Sequence, residues 1–346
     1  MADDNGLGAV IFEPSEPKKA TVDIVFVHGL GGNRINTWTY APGTPEKVFW
    51  PKDHLPQICP EARILSFGYN SAFAHFYPFY GPKNIPVGTT IDNHSTALFQ
   101  SLIGLRDRTE STDRPIIFIA HSLGGLVVAN ALSRQHGADE AAVSLVNHTG
   151  GVVFLGTPFE GSSKAEWGRT ALRVVDCFSD TKKEDVKDLE ERSAKLVSIN
   201  EAFLKFLKAR DRSGAPVEVE CFFEALSLKI LGKRFLIVPK KSAVLPGIDG
   251  QSIEANHVDM CKFADEERSG FRSISEKLSQ WIKAMHEIPA KTGDQDHGVH
   301  LTTTFNGAID NNRGVVAGSV YTPAKDGIRM IGTQYIRCDD GNVPNQ

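Results

Sequence analysis

Little in this chain of 346 residues points toward nucleic acid, a disulfide scaffold or a membrane span. Basic residues do not outnumber acidic ones, 38 Lys and Arg against 42 Asp and Glu for a net charge of −4, so no cationic field exists to gather phosphates and no nucleic-acid partner is expected. The five cysteines, Cys59, Cys177, Cys221, Cys261 and Cys338, are odd in number and scattered, without C-x-x-C spacing. That excludes a paired framework and the usual thiolate metal sites, and it predicts a reduced thiol set inside a cell. No stretch approaches the roughly 18 consecutive apolar residues of a membrane span. The start, MADDNGLGAV, is acidic where a secretory signal would be cationic and then apolar. The expectation is a cytoplasmic protein whose membrane contact, if any, is peripheral.

A further shortage is local. The last 58 residues hold one leucine and no glutamate among eight glycines, too little apolar volume for a packed core. This places a boundary near Glu287 and divides the chain into an arm (1–20), a large α/β domain (21–288) and a Gly/Asn-rich tail (289–346). With 41% apolar residues overall, the middle segment can bury a substantial core.

The most informative stretch of that core reads PIIFIAHSLGGLVVANALSRQ, residues 115–135. A run of β-branched and aromatic residues predicts a strand buried on both faces, which turns at Ser122 into an apolar helix. Small residues at Ala120 and Gly124 suit a sharp strand-to-helix corner, where two backbones approach closely. Such a corner would project the Ser122 hydroxyl above the sheet and aim the Leu123 amide at a developing oxyanion. The pattern departs from G-x-S-x-G in having Ala120 for the first glycine.

Upstream, VDIVFV (22–27) predicts a buried strand ending in His28-Gly29-Leu30-Gly31-Gly32. No G-K-[ST] or G-x-G-x-x-G follows, so this loop fits the second half of an oxyanion hole better than a nucleotide cradle, with Leu30 as donor and Gly29 as the alternative. Further strands are expected at 62–67, 151–155, 217–225 and 234–238, and helices at 91–106 and 270–288. Trp38 and Trp50, in a Pro-rich loop, read as surface packing. The aromatic stretch 73–80 (FAHFYPFY) offers Phe73, Phe76 and Phe79 as a wall for an acyl chain or as a lipid-touching patch. Residues 163–215, helical and of mixed charge between two core strands, suit a lid.

A serine alcohol needs a base within hydrogen-bond reach and an acid to orient that base. His257, in a loop between the last strand and the closing helix, is the best-placed downstream histidine. For the acid, Glu224 at the end of its strand is preferred, with Asp249 and Asp259 as competitors. His121 reads as a structural neighbour of the nucleophile.

Taken together and in order, VFVHGLGG, AHSLGG, LGTPFEGS, CFFE and NHVDMCKF resemble the lipase-like serine hydrolases related to the serine-active-site-containing proteins and to the SesB-type domains of fungal NOD-like receptors. The likeness covers residues 8–288. It implies an α/β-hydrolase fold and a doubly wound, mostly parallel sheet with a helical lid. It also implies a carboxylic-ester hydrolase acting on lipid as an effector of fungal cell death or immunity, with Ser122 as nucleophile, His257 as base and Glu224 as acid. No cofactor or metal is implied. Related lipases often carry histidine where this chain has Phe159, a residue assigned here to substrate binding.

The tail carries a second resemblance. GSVY (318–321) recurs as GTQY (332–335), and such β-prone pseudo-repeats are similar to the amyloid-signalling motifs of fungal cell-death effectors, which stack in register. The alternative function is therefore a non-catalytic module of the same fold that self-assembles, or is templated by a receptor, through its tail.

Overall fold

The computed structural model describes residues 6–7, 10–16, 19–43, 45–69, 71, 91–159, 170, 174, 186–230, 232–287, 309–310, 315–324 and 327–337. Side chains are described in these segments except at 6–7, 186–196, 230, 287 and beyond. The chain divides into two compact units, Met1–Ile288 and Pro289–Gln346.

The first unit is built on a seven-stranded sheet. Its strands are β1 (Gly6–Leu7), β2 (Val22–Val27), β3 (Ala62–Gly68), β4 (Ile116–His121), β5 (Thr149–Leu155), β6 (Glu218–Glu224) and, after a two-stranded hairpin of β7 (Leu228–Ile230) and β8 (Lys233–Phe235), β9 (Gln251–Ile253). The spatial order is β1-β3-β2-β4-β5-β6-β9. All neighbours run parallel except β1, which adds an antiparallel edge to β3. Phe12 bridges to Ile64 as well, so part of the N-terminal arm is pinned to the sheet.

Parallel strands buried on both faces require apolar side chains in succession, and β2 and β4 are buried at all six positions. Alternate residues serve opposite faces. Val25, Val27, Phe67 and Phe118 pack with the helices α1 (Ile91–Arg108), α2 (Leu123–Ser133), α3 (Glu140–Asn147) and α4 (Val186–Arg212). Ile24, Phe26, Ile117 and Ile119 pack on the other face with α5 (Ser269–Glu287). This is the doubly wound α/β-hydrolase arrangement. The described part of the 163–215 insertion is chiefly α4, whose Ile199 and Phe203 are buried in the first cluster.

Two expectations need correction. Residues 234–238 do not form the last core strand: Lys233–Phe235 pairs only in the β7–β8 hairpin, and the sheet's final strand is β9, paired with Phe222, Phe223 and Glu224 of β6. A three-residue edge strand with exposed Gln251 and Ser252 carries almost no apolar signal, whereas Ile237 and Val238 are buried for another reason, given below. Trp38 and Trp50 are not surface residues. Both are fully buried, edge-on to Phe26 at 4.9 and 5.1 Å, and the Trp50 indole donates to the Cys261 carbonyl at 2.9 Å.

The chain returns from β3 to place β4 on the opposite side of β2, so sheet growth reverses there. The carboxyl ends of β2 and β4 therefore border the crevice where open α/β sheets hold their ligands. They carry His28–Gly32 and Ser122.

In the second unit, β10 (Ile309–Asp310), β11 (Val315–Ala324) and β12 (Gly327–Arg337) form an antiparallel sheet in that order. The two copies of the pseudo-repeat face each other, Gly318 opposite Gln334 and Ser319 opposite Thr333, with an irregularity at Val320/Tyr321.

Candidate active site

Ser122 caps the sharp turn between β4 and α2. Its backbone sits at φ 53°, ψ −129°, a positive-φ conformation that costs a non-glycine residue on the order of 1–3 kcal/mol and persists only where the surroundings enforce it. Two close approaches do so. A Cβ on Gly124 would lie 2.2 Å from the His28 carbonyl oxygen, and one on Gly29 would lie 2.7 Å from Ser122 Cβ. The His28–Gly32 loop is thus seated directly on the elbow. Ala120, the departure from the motif, is buried within β4 opposite Val27 and Phe154.

The loop is held rigidly. The Tyr69 hydroxyl donates to the His28 carbonyl at 2.6 Å, the Gly31 amide to Ser71 O at 3.0 Å and the Gly32 amide to Gly29 O at 3.2 Å. Burial pushes the Tyr69 phenol far above its ordinary range, so it stays a neutral donor. The amides of Leu30 and Leu123 have no acceptor among the described residues.

His257 and Glu224 reach the same point from two other loops. His257 Nε2 lies 2.9 Å from Ser122 Oγ and His257 Nδ1 lies 2.7 Å from Glu224 Oε2. All three side chains are buried. Glu224 ends β6, and its second oxygen accepts the amides of Ile237 and, at 3.0 Å, Val238. That is why Ile237 and Val238 are buried without lying in a core strand: they fold over a carboxylate. Asn256 shapes the histidine loop by accepting the Val258 amide at 2.9 Å and donating to Asp259 at 2.8 Å. Asp259 is committed to Asn256 and Lys262, and Asp249 is exposed; neither meets His257 in these bonds.

His121, assigned on sequence to a neighbour's role, donates from Nε2 to the His257 carbonyl at 2.8 Å, and the two rings lie 5.0 Å apart. Burial first, then the adjacent His257, holds it well below the ordinary imidazole range. The amides of Ile237 and Val238, the Tyr69 hydroxyl and Asn256 were not legible as site residues, because backbone donors and turn formers leave no distinctive side-chain signal.

The aromatic wall cannot be placed in the same way. Phe73, Phe76 and Phe79 lie outside the described residues. Phe159 is fully buried, edge-on to Phe154 at 4.7 Å and stacked with Phe203 at 6.5 Å. Among the described residues no cluster of His, Cys, Asp and Glu could hold a metal ion, and no helix is long and apolar enough to cross a membrane. The described cysteines, Cys59, Cys221 and Cys261, are buried free thiols, pushed up to about 12 chiefly by desolvation.

No protein-family model matches the chain. Among curated proteins it is similar to Protein SERAC1 of Danio rerio, 30% identical over 275 residues, covering 74% of this chain and 38% of that protein. Protein SERAC1 of Homo sapiens is 27% identical over 264 residues, covering 72% and 37%. The chain therefore spans well under half the length of these relatives. Among solved structures it is similar to MenH from S. aureus, with TM-score 0.40, 13% identity and 80% and 97% of the two chains covered. It is also similar to the Bacillus licheniformis lipase BlEst2, with TM-score 0.40, 16% identity and 79% and 96% covered.

Proposed function

We propose that this chain is a serine hydrolase of carboxylic esters, lipid esters among them, working through an acyl-enzyme. The observation that carries this reading is the continuous line of two hydrogen bonds, 2.9 Å from Ser122 to His257 and 2.7 Å from His257 to Glu224, ending on a strained elbow. Ser122 Oγ adds to the ester carbonyl carbon while His257 Nε2 takes its proton, and Glu224, accepting from Nδ1–H, favours the resulting imidazolium. The carbonyl oxygen, now negative, is met by the amides of Leu123 and Leu30; one such donor is worth roughly 3 kcal/mol. Collapse breaks the bond to the alcohol, whose oxygen leaves with the proton from His257. Water then gives a proton to His257 and its hydroxyl to the acyl carbon. The serine oxygen recovers the proton as the acid departs.

The Ser122→Ala protein should lose hydrolysis of a short-chain ester while its melting transition stays close to that of the wild type. An alanine variant hydrolysing at the wild-type rate would defeat the reading.

A second reading, assembly through the tail, is favoured by one observation. Strand β12, eleven residues long, has no partner on its outer edge among the described residues, and such an edge can template a further copy. Full-length protein would then give seedable, thioflavin-positive fibres, blocked by Ile331→Pro, which cannot donate to a ladder. A chain that stays soluble when seeded would exclude it.

A further inference from the structure

Beside the nucleophile lies a cavity of about 200 Å³, walled by Leu30, Asn33 and Thr37 of the oxyanion-side loop, by His121, and by Val258 and Lys262 beyond the histidine. That volume is below the roughly 300–1,000 Å³ of pockets for drug-sized ligands, so it suits a small group and not an acyl chain. Its lining is also wrong for hydrocarbon. Lys262 Nζ keeps two N–H groups beyond its bond to Asp259. The Asn33 side-chain oxygen is already occupied by the Ile35 and Asn36 amides, so this lining residue can offer its NH₂ as a donor.

His121 adds the complementary group. Its bond to a carbonyl requires a hydrogen on Nε2, so in the neutral ring Nδ1 is a lone-pair acceptor. Among the described residues Nδ1 has no hydrogen-bond partner, although His121 is only 3% exposed and lines the cavity. An acceptor at His121 beside the Lys262 ammonium, in a cavity also lined by the Asn36 amide and the Thr37 hydroxyl, is matched by a hydroxyl group, which gives one hydrogen bond and receives others.

We infer that this cavity receives the alcohol half of the ester, and that the alcohol carries a free hydroxyl group whose hydrogen is accepted by His121 Nδ1. The inference rests on the serine-hydrolase reading above, and it makes His121 a specificity residue. The alcohol half is chosen because the cavity is lined by Val258, which follows His257 in the chain, and by His121, whose ring lies 5.0 Å from that of His257, the group that must protonate the departing oxygen.

The test compares a 1-monoacylglycerol with the ethyl ester of the same fatty acid. The wild type should favour the glyceryl ester in kcat/KM by about 10-fold, the worth of one buried hydrogen bond. In His121→Phe the ring shape is kept but no acceptor replaces Nδ1, so the ratio should fall close to one. Lys262→Met, at the rim, should reduce the ratio in a protein that folds normally even if His121→Phe does not. Equal wild-type rates on both esters, a preference that survives His121→Phe, or a preference that follows a hydroxyl on the acyl chain instead would each overturn the inference while leaving the hydrolase intact. Failure to cleave either ester, with Ser122 inert to a fluorophosphonate, would remove both.

Discussion

The two ends of the central sheet are built on opposite principles. At the carboxyl ends of β2, β4 and β6 stand a backbone strained at Ser122, amides with no acceptor among the described residues at Leu30 and Leu123, and a cavity. At the amino ends of β2 and β3 the buried charges are paired. Asp23, fully buried in β2, accepts from Arg63 at 2.8 Å through both oxygens, from Arg106 at 2.7 Å and from Arg114 at 3.1 Å. Arg63 also bonds Thr109 and Ser111, and Arg106 bonds the carbonyls of Thr112 and Arg114. Burial lowers the Arg106 guanidinium, Asp23 raises it, and the neighbouring arginines lower it again. The cluster ties β2 to β3, the last turn of α1 and the entry to β4. One end holds unsatisfied amides beside a cavity, and the other pairs the charges it buries around Asp23.

If that division is real, mutations at the two ends should separate activity from stability. The largest effect belongs to His257→Ala, for which turnover should fall by about 10⁴-fold or more while the denaturation midpoint barely moves. Glu224→Gln should cost about 10⁴-fold through a poorly oriented imidazole. Steady-state kinetics beside urea melts check both, and an active His257→Ala protein would break the comparison at this end. Asp23→Asn should do the reverse. Leaving two buried guanidinium groups and a partly buried third without their carboxylate should destabilise by about 3–5 kcal/mol in urea, with turnover in the folded fraction preserved. A neutral Asp23→Asn would mean the cluster is no anchor.

The smallest expected effect sharpens the boundary between the two roles. His121 is held neutral in the fold, whereas an unfolded histidine takes up a proton below about pH 6.5. The unfolded chain thus binds more protons there, and stability falls as pH drops through that value. Burial disfavours the charged ring most, the nearby charges of His257, Lys262 and His28 act in the same direction, and the His257 carbonyl opposes them through its hydrogen bond. His121→Gln should make the loss of stability between pH 6.5 and 5 shallower, as read by melting temperature; an unchanged slope would assign that acid sensitivity elsewhere.

Most of the frame was legible in the sequence for one reason: strands buried on both faces are largely apolar, so 22–27, 62–67 and 116–119 announced themselves despite Asp23, Arg63 and Ser66. The same rule misled at 234–238, where apolar residues cover Glu224, and it overlooked Gln251–Ile253, an edge strand held by register alone. Ser122, Glu224 and His257 could be nominated because each occupies a loop or strand end where its side chain needs a reason. Their meeting point could not, since it depends on the close approach of Gly29 to the elbow and on two backbone amides. The Asp23 cluster left a trace that went unread: Asp23 and Arg63 each stand second in their strands and are register partners.

The most direct measurement is the site and rate of fluorophosphonate labelling, mapped by mass spectrometry of the intact chain. The account predicts a single adduct on Ser122, absent in Ser122→Ala and slowed by orders of magnitude in His257→Ala. An adduct on another residue, or labelling indifferent to His257, would contradict it.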